Sequence, residues 1–204
     1  MLQLIVMGKS IFIEGIDGSG KSTATKQLVE FLQERGEKVL FLREPGGSQY
    51  YEAIREHIHF QDYKRSPLSD MLTCAGGIAE NIQLTKAAMN RNEWVVSDRS
   101  YVSNYVYQVT KGLNENTAEQ INKLALGDFN YDIKILIDVS VPVAHKRLEK
   151  IDKKKDRWET LGQDYFQKVR ETYLNIARKE NFVVINGEQS VEEVKKQLID
   201  TVGL

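Results

Sequence analysis

The sequence predicts an α/β fold: a parallel sheet of five strands flanked by helices on both faces. Three observations carry this expectation. Short apolar runs alternate along the chain with longer segments of helical spacing. A glycine-rich turn joins the first strand to the first helix. Polar and charged residues gather where the apolar runs end, which is where ligands bind in such sheets.

The first strand is the apolar run Ser10-Ile11-Phe12-Ile13. The helix after it holds Leu28, Val29, Phe31 and Leu32 between Lys26 and Arg35, with Gly36 as a stop. Further strands are expected over Lys38 to Leu42, Trp94 to Ser97, Ile133 to Ile137 and Phe182 to Ile185. Helical patterns fill the intervals at Tyr50 to His59, Leu68 to Met89, Asn104 to Thr110, Ala118 to Leu126, Pro142 to Lys150, Tyr165 to Lys179 and Val191 to Val202.

Between the first strand and its helix, Gly15-Ile16-Asp17-Gly18-Ser19-Gly20-Lys21-Ser22-Thr23 fits the phosphate-loop pattern G-x-x-x-x-G-K-[ST]. A glycine turn entering a helix aims backbone N–H groups at a common centre. Lys21 adds a full charge and the Ser22 hydroxyl suits Mg²⁺. The loop therefore predicts nucleoside triphosphate binding in a P-loop NTPase fold, without saying where the phosphate goes.

The second strand runs into Arg43-Glu44-Pro45-Gly46-Gly47-Ser48, either an anion site or an ordinary strand-to-helix turn. The third ends in Ser97-Asp98-Arg99-Ser100, followed by Ser103, Asn104, Tyr107 and Gln108 at near-helical intervals. Asp98 is placed to hold Mg²⁺ opposite Ser22, and Arg99 to bridge phosphates; a surface ion pair is the plainer alternative. Ser103, Asn104 and Gln108 are candidates to read a base edge. Asp138, at the fourth strand's end, suits a helix cap better than a second metal site. Residues 149–162 are rich in charge, with Lys150, Lys153, Lys154, Lys155 and Arg157, and read as a solvated loop or a lid over the triphosphate.

The whole-chain properties narrow the function. At 204 residues the chain suits one domain, 1–204, with a substantial core. A formal net charge of −1 offers no electrostatic case for nucleic acid or membrane partners. The single cysteine, Cys74, excludes an internal disulfide and fits a cytoplasmic location. The apolar start from Met1 to Met7 lacks a basic leader, so no signal peptide is expected, and Met7 is an alternative start.

Taken in order, these motifs resemble the thymidylate kinase family over essentially the whole chain. The phosphate loop, the Arg43 to Ser48 segment (serine for the family's threonine), Arg55, and the set Asp98, Arg99, Ser103, Tyr107 and Gln108 all match. So do Asp156-Arg157-Trp158-Glu159 in the lid and Phe166, Arg170 and Tyr173 beyond it. The resemblance implies transfer of the ATP γ-phosphoryl to a deoxynucleoside monophosphate, with Mg²⁺. It implies that Lys21 neutralises the moving phosphoryl, with Arg157 from the lid, and that Arg43, Arg55 and Arg99 hold the acceptor phosphate. Asp17 would lie between donor and acceptor, near the acceptor's phosphate and sugar; Glu44 and Pro45 would also bind the acceptor, and Tyr107 would crowd the 2′ position and favour deoxyribose. A homodimer is also implied.

One helix departs from the pattern. The resemblance puts the family's base-stacking phenylalanine and base-reading arginine at Thr73 and Gly77, so Gly76-Gly77 is expected to leave an empty volume in the helix. Either another part of the chain fills the gap and thymine is still read, or the pocket is opened for a larger or modified base and the preference is relaxed or shifted. Two other functions compete: a deoxynucleoside kinase, suggested by Asp98-Arg99-Ser100 and Glu44-Pro45, and a regulatory NTPase. The three acceptor-side arginines disfavour the first, and the absence of a recognisable water-positioning glutamine disfavours the second. Arg147 is either near the donor base or a surface residue.

Overall fold

The protein is described by a computed structural model covering residues 8–60, 64–150 and 162–204. Each expected strand is present: β1 (Ser10–Glu14), β2 (Val39–Arg43), β3 (Trp94–Asp98), β4 (Ile133–Asp138) and β5 (Val183–Asn186). They form one all-parallel sheet in the order β2-β3-β1-β4-β5. The helices are α1 (Lys21–Glu34), α2 (Gln49–Phe60), α3 (Pro67–Asn90), α4 (Tyr101–Thr110), α5 (Glu115–Leu126), α6 (Val141–Glu149), α7 (Gln163–Lys179) and α8 (Val191–Val202). This is the P-loop NTPase arrangement.

Several helices begin earlier than their apolar spacing suggests, because the first turn is set by polar caps. The Ser66 side chain accepts from Ser69 N–H at the start of α3, Ser100 from Val102 N–H before α4, and Asn114 from Thr117 N–H before α5. The largest displacement is in α1, which begins at Lys21 and not at Lys26. Gly20 precedes it at φ 92°, so the last residues of the phosphate loop are already the first helical turn.

Side-chain parity on β1 divides the core in two. Ile11 and Ile13 point to one face, where they pack with Leu28 and Leu32 of α1 and Leu198 and Val202 of α8. Phe12 points to the other and packs with Ile78 of α3, Val106 of α4 and Phe166 and Tyr173 of α7. Burying each such side chain contributes about 1.5–3 kcal/mol. Glu14 falls on the Phe12 side and carries a carboxylate into the helical layer.

The chain leaves β1 for β2 on one side of the sheet and leaves β3 for β4 on the other. The reversal opens a crevice at the carboxyl ends of the adjacent strands β1 and β3. Those ends carry the phosphate loop and the Asp98-Arg99 pair.

Among the described residues, no helix is long and apolar enough to cross a membrane. Residues 151–161, which make up most of the segment expected to be a solvated loop or lid and include Arg157, lie outside the described residues, as do Met1 to Met7.

Candidate active site

The phosphate loop has the geometry its glycines require. Gly15 (φ 154°), Gly18 (φ 84°) and Gly20 (φ 92°) adopt backbone conformations that suit glycine. At Gly18 an added Cβ would stand 2.4 Å from the carbonyl oxygen of Ala144 in α6, so the loop packs tightly on that helix. Ser19 N–H closes the turn onto the Ile16 carbonyl at 3.1 Å. Arg147 reaches back from α6 to the Ser19 carbonyl at 3.1 Å and the Gly187 carbonyl at 2.8 Å. It therefore braces the loop.

Lys21 is buried in the first turn of α1 and its Nζ lies 3.3 Å from Asp17 Oδ1. Asp17 also accepts from Arg99 Nη2 and, at 3.2 Å, from the Tyr107 hydroxyl. Burial alone would raise the Asp17 pKa, but the Arg99 and Lys21 charges outweigh it and hold the carboxyl well below the usual range. Asp17 is thus a carboxylate clamped between two cations.

Arg99 has a positive φ of 73°, an uncommon backbone state for arginine that costs on the order of 1–3 kcal/mol. Its neighbours enforce it: the backbone N–H donates to Ile13 O at 3.0 Å, and Nη1 donates to Ser103 Oγ at 3.0 Å and to Tyr173 Oη at 3.3 Å. The guanidinium stands 5.4 Å from the Tyr107 ring centroid.

Behind Arg99 lies Glu14, which the sequence reading passed over. Its fully buried carboxylate accepts from Ser100 N–H (2.8 Å) and hydroxyl (2.9 Å), Ser103 N–H (3.0 Å) and hydroxyl (2.8 Å), and the Tyr173 hydroxyl (3.1 Å). Burial raises its pKa, while Arg99 and these donors oppose the rise. A glutamate closing an apolar strand just before the phosphate loop was the available signal.

A cavity of about 700 Å³ brings the predicted residues together. Asp17, Lys21 and Ser22 line it from the loop; Arg43, Glu44 and Pro45 from the end of β2; and Arg55 from α2. Asp98 and Arg99 follow β3, and Ser103, Asn104, Tyr107 and Gln108 come from α4. Gly15, Gly18, Ser19, Gly20 and Thr23 shape the loop without lining this space.

The arginines are held by named partners. Arg43 grips Glu52 bidentately at 3.0 and 2.7 Å, and Glu52 also accepts from Gly47 N–H at 2.9 Å. Arg55 Nη1 donates to the Pro45 carbonyl at 2.6 Å. Glu44 is buried with neither carboxylate oxygen hydrogen-bonded, and burial next to Glu14 pushes its pKa up to about 8.

Asp98 and Ser22 share the cavity, and Asp98 Oδ1 is buried without a hydrogen-bond partner. An orphaned carboxylate oxygen and a hydroxyl are hard donors that fit Mg²⁺. Among the described residues no group of three or more His, Cys, Asp or Glu side chains could hold a metal, so further ligands would come from phosphate oxygens and water.

Three expectations are corrected. Thr73 does not line the cavity; its hydroxyl donates to the Ser69 carbonyl of its own helix at 2.8 Å. Gly77 leaves no empty volume, because the Tyr51 ring occupies the space beside it. Asp138 caps no helix and is instead gripped by Arg170 at 2.7 and 2.8 Å, while Ser140 precedes α6.

Comparison with known proteins agrees with this geometry. A family model described as thymidylate kinase matches residues 13–198. A thymidylate kinase of Thermosipho melanesiensis is 38% identical over 197 residues, covering 94% of this chain and 97% of the relative. Another, of Caldanaerobacter subterraneus subsp. tengcongensis, is 36% identical over 199 residues, covering 96% and 95%. One of Nitrosospira multiformis is 33% identical over 195 residues, covering 94% and 95%. With a phosphate loop and three arginines facing one crevice, and this similarity along its length, the chain belongs to the thymidylate kinase family of phosphotransferases.

Proposed function

We propose that the protein transfers the γ-phosphoryl of ATP to the 5′-phosphate of dTMP, or of a closely related deoxynucleoside monophosphate, giving ADP and the deoxynucleoside diphosphate. The observation that supports this most directly is that one cavity joins Lys21 and Ser22 to Arg43, Arg55 and Arg99. Two phosphate-bearing ligands placed end to end would find cations on both sides of the transfer point.

In this reading an acceptor phosphate oxygen attacks the γ-phosphorus, and the bond to the oxygen bridging the β- and γ-phosphates breaks. Catalysis is positioning and charge stabilisation, with no side-chain nucleophile. Lys21 compensates charge on the moving group, with Arg157 of the lid. Arg43, Arg55 and Arg99 orient the acceptor phosphate; Asp17 offsets the repulsion between Arg99 and Lys21 and holds both at the site. Glu44 and Pro45 border the acceptor, Ser103, Asn104 and Gln108 border its sugar and base, and Tyr107 crowds the 2′ position. Ser22 and Asp98 would hold Mg²⁺, which when bound neutralises phosphate charge. The family resemblance also supports a homodimer in the cytoplasm.

A coupled assay with ATP and Mg²⁺, comparing dTMP, thymidine and no acceptor, tests the reading. Efficient ADP formation with dTMP is expected. Preference for thymidine would instead favour a deoxynucleoside kinase, and fast acceptor-independent hydrolysis would favour a regulatory NTPase.

A further inference from the structure

The base end of the acceptor site is built differently from the family pattern, and α2 supplies the missing wall. A Cβ added at Gly77 would lie 2.1 Å from Cδ2 and 2.2 Å from Cγ of Tyr51. No side chain fits there, so Gly77 is the seat that lets the Tyr51 ring lie against the α3 backbone. Tyr51 is 1% exposed, yet it lines the cavity together with Cys74. Burial, with the Cys74 thiol nearby, raises the pKa of its hydroxyl, which is therefore a neutral donor.

Asn104 lines the same cavity from α4. Its side chain meets the Met71 carbonyl at 3.1 Å, and a carbonyl only accepts, so the amide NH₂ is used there. The other end, Oδ1, is buried and has no partner, although Asn104 lines the cavity. Asn104 is tied to α3 at Met71 and the Tyr51 ring is seated on α3 at Gly77, so an acceptor and a donor border one cavity. An acceptor next to a donor is the complement of a lactam edge, in which a ring N–H adjoins a carbonyl. Thymine and uracil present that edge; cytosine presents an amino group and a bare ring nitrogen.

We propose that Tyr51 is a specificity-determining residue of the acceptor site: its hydroxyl donates to the ring carbonyl of the base while Asn104 Oδ1 accepts the adjacent N–H. The pair thereby selects lactam pyrimidines over aminopyrimidines. This rests on the acceptor being a deoxynucleoside monophosphate. A neutral hydroxyl from α2 does the work that the family pattern assigns to an arginine on α3.

The test uses the full-length enzyme with ATP and dTMP, dUMP or dCMP. Tyr51→Phe keeps the ring in its seat and removes only the hydroxyl. KM for dTMP and dUMP is expected to rise up to about tenfold with a smaller change in kcat, and the dTMP-over-dCMP ratio of kcat/KM to fall by a similar factor. Gly77→Ala keeps the hydroxyl but displaces the ring, and the ratio should fall again. A merely structural role would lower stability without moving that ratio. Unchanged KM and ratio in the folded Tyr51→Phe enzyme would overturn this inference alone. A wild type that transfers to no deoxynucleoside monophosphate would overturn the proposed function and this inference with it.

Discussion

Tyr173 of α7 donates its hydroxyl to Glu14 at the end of β1 at 3.1 Å, although 159 residues separate them. The contact joins the strand that feeds the phosphate loop to a helix, Gln163–Lys179, far along the chain. Ser100 and Ser103 complete the set of donors, so Glu14 holds the start of α4 and the setting of Arg99 together.

Replacing Glu14 by glutamine turns an acceptor surrounded by donors into a group that presents its own NH₂ to some of them. Glu14→Gln is expected to destabilise the fold by about 2 kcal/mol, since a buried hydrogen bond to a charged group contributes roughly 1.5–3 kcal/mol. Urea unfolding reads this loss. Acceptor KM should rise as well, because Arg99 and Ser103 lose their support.

Glu44 makes stability depend on pH. Its pKa rises from an ordinary 4.5 to about 8 in the folded chain through burial and the neighbouring Glu14. Between those values the folded chain keeps a proton that the unfolded chain has released. This contribution is complete below 4.5 and is lost as the pH climbs to about 8. The Tm of the ligand-free protein should therefore fall across that window, and Glu44→Gln should flatten the slope. Parallel curves for the two proteins would refute the assignment.

Lys21 is the phosphate-loop cation proposed to compensate charge on the moving phosphoryl. Lys21→Met should lower kcat by at least 10²–10³-fold, the usual scale for removing a preorganised electrostatic contact. Circular dichroism should remain native, since methionine fills similar volume.

Gly18→Ala tests the loop's packing on α6. The left-handed backbone costs on the order of 1–3 kcal/mol for a non-glycine residue, and the new Cβ would meet the Ala144 carbonyl at 2.4 Å. Thermal unfolding should report the loss, and ATP titration should show weakened binding.

Asp98→Asn should raise the Mg²⁺ concentration needed for half-maximal activity. An amide oxygen is a poorer ligand for a hard cation than a carboxylate. Varying Mg²⁺ at fixed ATP measures the shift.

Much of the fold was legible because its signals are local. Five short apolar runs match strands of the sheet, and the phosphate loop is marked by its glycine spacing and Lys21. The starts of α1 and α4 lie ahead of their apolar spacing, which says nothing about a first turn built from Lys21-Ser22-Thr23 or capped by Ser100. Glu14 and Glu52 escaped notice because a carboxylate's meaning depends on what surrounds it. The sequence around Thr73 and Gly77 leaves open whether another segment fills the space, because the residue that does so, Tyr51, sits on another helix.

By itself, the order of residues determined the strand and helix inventory, the triphosphate loop and the roster of charged groups at the strand ends, all features that short-range periodicity and backbone stereochemistry dictate. Only tertiary structure decided which groups meet: Asp17 between Lys21 and Arg99, Tyr51 over Gly77, Asp138 with Arg170. Those pairings depend on distances across the folded chain, and hydrogen bonds and close packing act only over a few ångströms, so they are settled when sheet and helices have docked.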